Sequence, residues 1–246
     1  MFVRMNEITT THQKPHIYVL AAHPHWRDSR VNRQLMQVAS ALPDGDIDVN
    51  DLYSSYPDFA IDIEAEQARA ASADLIVLLH PIQWYSMPPL QKLWLDDVLT
   101  WGWAYGPGGN ALRGKDCWLV ATTGGPESSY RPQSYNRYFF DAFLPPYEQT
   151  AALCGMRFLP PLLFHGARSA RHDDLTAHVE VFRQRLASYP NWPEMEELGA
   201  CPTCVVPESD RPADADDFGK VQAAVFKGAF KDALARSTAG SKAEAA

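Results

Sequence analysis

The sequence predicts an α/β fold in which a parallel sheet is covered by helices on both faces. Five short apolar runs alternate with longer segments in which apolar residues recur at helical spacing. This alternation is typical of parallel sheets, because each crossover helix packs on the sheet as it returns the chain to the same edge. The 246-residue length and the 46% hydrophobic content allow a core that buries roughly 70% of the unfolded surface.

The first two strands and helices are predicted within residues 16–73. Residues 16–22 (HIYVLAA) form an apolar run, and residues 47–52 alternate apolar and polar side chains, so both segments predict strands. Residues 62–73, which are rich in Glu, Gln and Ala, predict a helix. The helix predicted over 29–42 places four apolar residues on one face: Val31, Leu35, Val38 and Leu42.

Three further strands are predicted over 74–80, 117–122 and 158–164, with helices over 88–101, 135–153 and 173–188. The prolines of the helix over 88–101 fall at its start, where a missing N–H matters least. The helix over 135–153 is expected to be interrupted at Pro145 and Pro146. Asp173 or Asp174 is expected to cap the last helix.

Composition and charge bound the location and the partners. The net charge of −8 argues against a nucleic-acid partner, because phosphate backbones need clustered Lys and Arg. No apolar run reaches the about 20 residues of a membrane span, and residues 1–15 are expected to form an N-terminal arm rather than a secretory signal. The four cysteines suit a reducing compartment, so we expect a cytoplasmic protein.

The residues beyond the predicted sheet differ in composition. Residues 16–190 are predicted to be one domain, and residues 191–246 a partly disordered extension with a short amphipathic helix over 218–234. Cys201 and Cys204 form a lone C-x-x-C pair in this extension. The pair is incidental, a redox dithiol or part of a zinc site, and no second ligand pair lies nearby.

The loop over 23–32 is the first of three candidate ligand-binding segments. Ligands of open parallel sheets bind beyond the carboxyl ends of the strands, which selects the loops after the first, third and fourth strands. A helix amino terminus near Ser29 suits a phosphate, with Asn32 as a further donor and His23 or Arg30 as a charge. The alternative is that Asp28 or Ser29 only caps the helix. No ligand cluster accompanies His23, so a metal site is not predicted.

The loops over 81–89 and 122–130 are the other two candidate ligand-binding segments. Trp84 and Tyr85 can present a flat apolar surface beside backbone N–H groups, although such aromatics can also belong to the core. The run Thr122, Thr123, Gly124, Gly125 lets the backbone approach a ligand closely; the alternative is an ordinary glycine turn.

Two nucleotide-binding motifs and a hydrolase motif are not supported. Gly109, Gly114 and Lys115 have P-loop spacing, but Asp116 replaces the Ser or Thr that binds magnesium, and the segment precedes a strand instead of following one. The sequence has no G-x-S-x-G elbow, and no G-x-G-x-x-G follows the first strand.

The runs YPDFAIDIEAEQ, HPIQWYSMPPLQKLWLDDVLTWGWAYGPGGNALRGK and TTGG resemble the NAD(P)H:quinone oxidoreductases of flavodoxin-like fold. Within that family they are similar to the ancillary flavoproteins of glutathione-regulated potassium-efflux systems. The resemblance spans residues 16–190. It implies a homodimer with a five-stranded sheet in the order 2-1-3-4-5 and a bound FMN, or FAD as in longer members. The compact core favours FMN.

The resemblance also implies roles for the three loops. The flavin phosphate and ribityl chain would be held by His23, Ser29, Arg30, Val31 and Asn32. The flavin ring would be contacted by Ile82, Gln83, Trp84, Tyr85, Thr122, Thr123, Gly124 and Gly125. A hydride would pass from NAD(P)H to the flavin and then to a quinone that replaces the nicotinamide.

Tyr130 is the one catalytic candidate. It lies where vertebrate-type members of the family carry a tyrosine, but Asn136 stands where they carry a histidine, so their Tyr–His relay is not expected here. Tyr130 can still donate a hydrogen bond, and the alternative is a structural tyrosine.

Three functions remain open from the sequence. The first is an FMN-dependent NAD(P)H:quinone oxidoreductase. The second is a regulatory subunit that activates a potassium antiporter from the inner face of the membrane. The third is an acidic flavodoxin-like electron carrier with a protein partner. We also expect dimerisation through residues 88–103, which carry several aromatic side chains.

Overall fold

The computed structural model describes residues 14–43 and 46–197. The predicted N-terminal arm is therefore described only at 14–15, and the C-x-x-C pair and the helix predicted over 218–234 lie outside the described residues. Five strands form one parallel sheet in the order β2-β1-β3-β4-β5. Their bounds are His16–Ala21 (β1), Asp46–Asp51 (β2), Leu75–Pro81 (β3), Asp116–Thr122 (β4) and Arg157–Phe164 (β5). The predicted fold class and strand order are confirmed.

Helices cover both faces of the sheet. They are Val31–Ala41 (α1), Leu52–Ser55 (α2), Ile63–Ser72 (α3), Pro89–Val98 (α4), Pro145–Leu153 (α5), His172–Ser188 (α6) and Glu194–Glu197 (α7). Successive strand residues alternate between the faces: Tyr18 and Leu20 join the core under α3, α4 and α5, whereas Ile17 and Val19 join the core under α1 and α6. Both cores are continuous, so the sheet is buried on each side.

Four local predictions need correction. The helix over 88–101 ends at Val98, and the chain turns before Trp101, which is 46% exposed. Residues 135–139 are not helical, since Arg137 has a left-handed φ of 61°; Phe140–Phe143 form a 3-10 helix, and the α-helix starts at Pro145, where proline is tolerated in the first turn and does not interrupt it. Asp173 and Asp174 lie in the first turn of α6 and do not cap it. The residues after β2 begin a short helix, α2, that was not predicted.

The packed unit continues past residue 190, the predicted domain end. Trp192 is 3% exposed and packs edge-on against Trp118, with ring centroids 4.8 Å apart. Glu194 pairs with Arg185 of α6. The contact of Trp192 with Trp118 explains why the packed unit continues past residue 190, because a large indole ring contributes strongly to a hydrophobic core. Among the described residues, no helix is long and apolar enough to cross a membrane.

Candidate functional site

Three loops meet at the carboxyl edge of the sheet, and Thr122 links them. Thr122 is the buried last residue of β4. Its hydroxyl accepts a hydrogen bond from Asn32 Nδ2 over 3.1 Å, and its carbonyl accepts one from the Ile82 N–H over 2.7 Å. The loops after β1, β3 and β4 therefore lie side by side next to the switch point between β1 and β3, where α/β sheets bind ligands.

The amino terminus of α1 forms one side of this edge. α1 begins at Val31 with Arg30 as its N-cap residue, so the alternative in which Asp28 or Ser29 occupies the cap position is wrong. Ser29 is buried, and its hydroxyl accepts a hydrogen bond from the Arg33 N–H over 3.3 Å. The first turn of this helix carries no acidic residue. Its free N–H groups therefore suit an anion such as a phosphate.

Asn32 has a hydrogen-bond partner for only one of its two polar side-chain atoms among the described residues. It is 1% exposed, and while its amide nitrogen bonds to Thr122, its Oδ1 has no hydrogen-bond partner among the described atoms. A buried acceptor without a partner costs about 1–3 kcal/mol. Oδ1 is thus positioned to accept a hydrogen bond from a ligand hydroxyl or N–H.

His23 lies in the same loop and is partly buried. Its Nδ1 accepts a hydrogen bond from the His25 N–H over 3.0 Å. Burial, and to a lesser degree the nearby His25, lowers the pKa of His23, so the ring is neutral at neutral pH. His23 can therefore donate a hydrogen bond to a ligand, whereas burial disfavours the positive charge considered for it.

The second loop folds into a tight hairpin that exposes its aromatic tip. The Gln83 N–H donates to the Ser86 carbonyl over 2.9 Å, and the Ser86 N–H donates to the Gln83 carbonyl over 3.0 Å. Trp84 and Tyr85 between them have φ of 48° and 66°, the left-handed conformation of a two-residue turn. Trp84 is 94% exposed, so the alternative that it belongs to the core is wrong. Tyr85 is half exposed and stacks on Phe143.

The third loop is held by the loop after β5. The Thr123 N–H donates to the Phe164 carbonyl over 2.9 Å, and the Gly166 N–H donates to the Gly125 carbonyl over 2.8 Å. A Cβ added to Gly125 would lie 2.5 Å from the Tyr135 hydroxyl, whereas one added to Gly124 would meet only the Arg168 side chain, nearest at 3.6 Å. Gly124 is thus the position in this turn that is open to a ligand.

Tyr130, the predicted catalytic candidate, is 8% exposed beside the third loop. Its ring packs against Phe140 and His165, each at a centroid distance of 5.4 Å. Burial raises the pKa of Tyr130, and the nearby Thr123 hydroxyl opposes that rise only in part. The phenol is therefore protonated at neutral pH and can donate a hydrogen bond.

His165 is a residue of this edge that the sequence reasoning missed. It follows β5, and its Nδ1 lies 3.0 Å from the Thr123 hydroxyl oxygen. The rule that selected the loops after β1, β3 and β4 applies equally to the carboxyl end of β5, which was not considered. Asn136, which stands where vertebrate-type members carry a histidine, bonds to Ser129 Oγ through its Nδ2 over 2.9 Å.

The fold and the residues of this edge can be compared with those of known proteins. A family model described as a flavodoxin-like fold matches residues 15–186. The glutathione-regulated potassium-efflux system ancillary protein KefF of Klebsiella aerogenes is 42% identical over 183 residues, which is 74% of this chain and 99% of that protein. The resemblance to that group of proteins is confirmed.

Solved structures share the fold over about 70% of this chain. General stress protein 14 of Treponema denticola, in complex with FMN, is 34% identical with a TM-score of 0.66 and covers 71% of this chain and 99% of its own. A thermophilic tryptophan halogenase from Streptomycin violaceusniger is 41% identical with a TM-score of 0.65, and the match covers 68% of this chain and 96% of that one. A putative quinone reductase from Klebsiella pneumoniae is 25% identical with a TM-score of 0.63, and the match covers 72% of this chain and 86% of that one.

Proposed function

Because the chain belongs to the flavodoxin-like family, we propose that it is an FMN-dependent NAD(P)H:quinone oxidoreductase. The FMN complex of the Treponema denticola relative and the quinone-reductase name of the Klebsiella pneumoniae neighbour support the cofactor and the substrate class. The function requires a site that holds a phosphate, a hydroxylated chain and a flat ring next to one another.

The observation that carries this proposal is the position of Thr122. Through its hydroxyl it contacts Asn32 in the first turn of α1, and through its carbonyl it contacts Ile82 at the start of the aromatic hairpin. One buried residue would therefore join the proposed phosphate site to the proposed ring site. The adjacency of the two proposed sites suits a mononucleotide with a ring at one end and a phosphate at the other.

The described residues fit FMN. The α1 N–H groups, with Ser29 and Arg30, would hold the phosphate, and Asn32 Oδ1 would accept a hydrogen bond from the ribityl chain. Trp84 and Tyr85 would flank the ring, and Gly124 would let the backbone approach its edge. The remaining candidates, His23, Val31, Ile82, Gln83, Thr123 and Gly125, would complete the same surface.

The bound flavin would supply the hydride chemistry by accepting a hydride from NAD(P)H and passing it to the quinone. The protein would orient the two substrates in turn over the ring through the hairpin and the glycine turn. A quinone that gains a hydride must also gain a proton to become a hydroquinone. Tyr130 would donate that proton, because burial keeps its phenol protonated.

The test is reconstitution of the purified protein with FMN and, separately, FAD. We expect stoichiometric FMN uptake, immediate bleaching of the flavin absorbance on anaerobic addition of NADPH or NADH, and recovery of the absorbance with a quinone. Failure to take up flavin would contradict the cofactor, and bleaching without recovery would contradict the quinone. Tryptophan and a halide salt, added to the same preparation, test the activity for which the Streptomycin violaceusniger neighbour is named.

A second candidate function is that of an ancillary subunit of a potassium-efflux system. The 42% identity to the ancillary protein of Klebsiella aerogenes favours it, since that match covers 99% of the relative. In this role the chain would be cytoplasmic and would reach the membrane through an antiporter partner. Efflux measured with the chain present, deleted, or carrying Asn32→Leu tests it. Unchanged efflux on deletion would contradict the role.

A homodimer completes the proposal, its core domain being residues 16–190 together with Trp192, which packs against them. Of the aromatic residues in the 88–103 segment, Trp101 is 46% exposed, but Trp94 is 1% exposed and packs within its own protomer. Trp101 is therefore the residue of this segment that we expect at a dimer contact. Analytical ultracentrifugation of Trp101→Ala against the unchanged protein tests it, and a monomer with full activity in both would contradict the dimer.

A further inference from the structure

The residues that follow β5 hold the side chain of Arg168 against the third loop. The Gly166 N–H donates to the Gly125 carbonyl over 2.8 Å, which pairs the two segments. Arg168 follows two residues later, in the short 3-10 helix Ala167–Ser169. A Cβ on Gly124 would lie 3.6 Å from Arg168 Nε, so this side chain borders the one glycine of the turn that is open to a ligand.

Arg168 and Arg171, the N-cap residue of α6, are both exposed cations at this rim. Neither side chain forms an ion pair or a hydrogen bond with the residues described in 14–43 and 46–197. By contrast, Arg69, Arg157 and Arg185 each pair with a carboxylate. An exposed guanidinium whose donors are not used by the protein is available to an anionic ligand.

The strand order separates these arginines from the proposed phosphate site of FMN. That site lies at the amino terminus of α1, which follows β1, whereas Arg168 follows β5. β3 and β4 lie between the two strands, so at about 4.8 Å per strand the two positions are about 14 Å apart. Arg168 is therefore placed for the phosphate of a second molecule and not for that of FMN.

The reactants of the proposed reaction differ in what they offer to an arginine. A quinone carries no phosphate, NADH carries a pyrophosphate, and NADPH carries a further phosphate on the 2′ oxygen of its adenosine. A guanidinium binds such a phosphate through two parallel charge-assisted hydrogen bonds. Asp173 and Asp174 in the first turn of α6 make the amino terminus of that helix unsuitable for an anion, so the guanidinium groups are the anion-binding groups of this segment.

We propose that Arg168, together with Arg171, binds the adenosine 2′-phosphate of the reductant and so makes NADPH the preferred hydride donor over NADH. This inference rests on the proposed function. The adenosine is the end of the dinucleotide remote from the reacting nicotinamide, so its recognition falls to exposed residues at the rim of the site. NADH has a hydroxyl group in place of that phosphate and would still react, with lower affinity. Reduction of the quinone would not depend on either arginine.

The first test measures nucleotide binding and needs neither flavin nor turnover. In flavin-free protein, isothermal titration calorimetry should find that 2′,5′-ADP binds about 10-fold more tightly than 5′-ADP, which has as many phosphates but none on the 2′ oxygen. Arg168→Gln should remove this difference. Arg168→Lys should retain part of it, because lysine keeps the charge but not the two parallel donors. Equal affinities for the two nucleotides in the unchanged protein would overturn the inference.

The second test compares the two reductants in the FMN-loaded enzyme by anaerobic stopped-flow absorbance. Arg168→Gln should lower the second-order rate constant of reduction by NADPH about 10-fold and leave that by NADH within about two-fold. The limiting rate at saturating NADPH and the rate of reoxidation by a quinone should not change, because the arginine contributes to binding and not to hydride transfer. Added salt should reduce the preference of the unchanged enzyme for NADPH, because it screens exposed charges.

The matched control is Arg113→Gln, which removes an exposed arginine just before the amino end of β4. Like Arg168, Arg113 forms no ion pair within the described part of the chain. Its loss should change neither nucleotide binding nor either half-reaction. Equal slowing with NADPH and NADH in Arg168→Gln would mean a role shared by both reductants and would overturn the inference. If the unchanged protein binds no flavin or reduces no quinone, the proposed function fails, and the calorimetric comparison still decides whether Arg168 recognises a 2′-phosphate.

Discussion

The two ends of the sheet differ in how completely their polar groups are satisfied. At the amino edge, Asp116 receives two hydrogen bonds from the Arg157 guanidinium, over 2.7 and 2.8 Å, and a third from the Tyr189 hydroxyl over 2.8 Å. At the carboxyl edge, Asn32 keeps an unpartnered amide oxygen, and Trp84 is 94% exposed in a left-handed conformation.

This difference indicates which end is structural and which end is built for a ligand. Strained backbone and unsatisfied buried groups persist only where the surrounding structure holds them, and they concentrate at binding sites. The saturated network at the amino edge holds β3, β4, β5 and the end of α6 together and provides that rigidity. Substitutions at the amino edge should therefore change stability, and those at the carboxyl edge should change ligand affinity.

The largest effect is expected for Arg157→Ala at the amino edge. The change leaves the buried Asp116 carboxylate without its main counter-charge, which typically costs about 3–5 kcal/mol of unfolding free energy. Urea denaturation monitored by circular dichroism measures this loss. Arg183→Ala, which breaks an exposed pair with Glu180, should cost less than about 1 kcal/mol. Equal losses in the two variants would contradict the distinction between the two edges.

The next largest change in stability is expected from His80, near the carboxyl end of β3, and it appears as the pH is lowered. His80 is fully buried, and burial lowers its pKa to about 4. Its unfolded pKa of about 6.5 is higher, so the unfolded chain binds the proton first as the pH falls. Stability should therefore decline below about pH 6.5 and by about 3 kcal/mol when pH 4 is reached.

Chemical denaturation of His80→Asn and of the unchanged protein across this pH range checks that decline. The variant should show a flatter dependence on pH whatever its absolute stability, because asparagine does not titrate. His172→Asn, in which the removed ring is exposed, should keep the original slope. A slope that survives His80→Asn would assign the acid sensitivity to another group, such as His178, whose pKa burial also lowers to about 4.

A smaller effect, on affinity and not on stability, is expected for Asn32→Leu. The change removes the unpartnered Oδ1 and one hydrogen bond to Thr122, so the unfolding free energy of the flavin-free protein should move by less than about 1 kcal/mol. FMN affinity should fall by about 10-fold, the usual value of one hydrogen bond made to a ligand in a buried site. Fluorescence titration with FMN measures it, and unchanged affinity would remove Asn32 from the proposed site.

The parts of the fold that depend on local pattern were predictable from the sequence. Residues 74–80 form a continuous apolar run, so the buried strand β3 and the position of the loop after it followed directly. Residues 135–139 misled the prediction because their aromatic side chains are mostly exposed and pack on no core, and because Arg137 has a left-handed φ of 61°. His165 was missed because it joins this edge through a contact with Thr123, 42 residues away, and no local sequence pattern indicates such a contact.

The smallest change in stability is expected for two substitutions at Trp84. Together they distinguish the role of the hairpin backbone from the role of the exposed indole. Because the indole is 94% exposed, Trp84→Ala should leave the stability of the flavin-free protein within about 0.5 kcal/mol. Trp84→Gly should be more stable than Trp84→Ala by about 1 kcal/mol, since φ of 48° suits glycine and strains alanine.

Both Trp84 variants lack the ring and should lose FMN to the same extent in fluorescence titrations, because the proposed contribution of Trp84 is its flat surface. If Trp84→Gly retained FMN while Trp84→Ala did not, the backbone of the hairpin would be the binding element. Retention in both variants would mean that the exposed indole serves another surface of the protein. Equal loss together with the expected stability difference would show that the left-handed turn is maintained, at a cost in stability, to present this side chain.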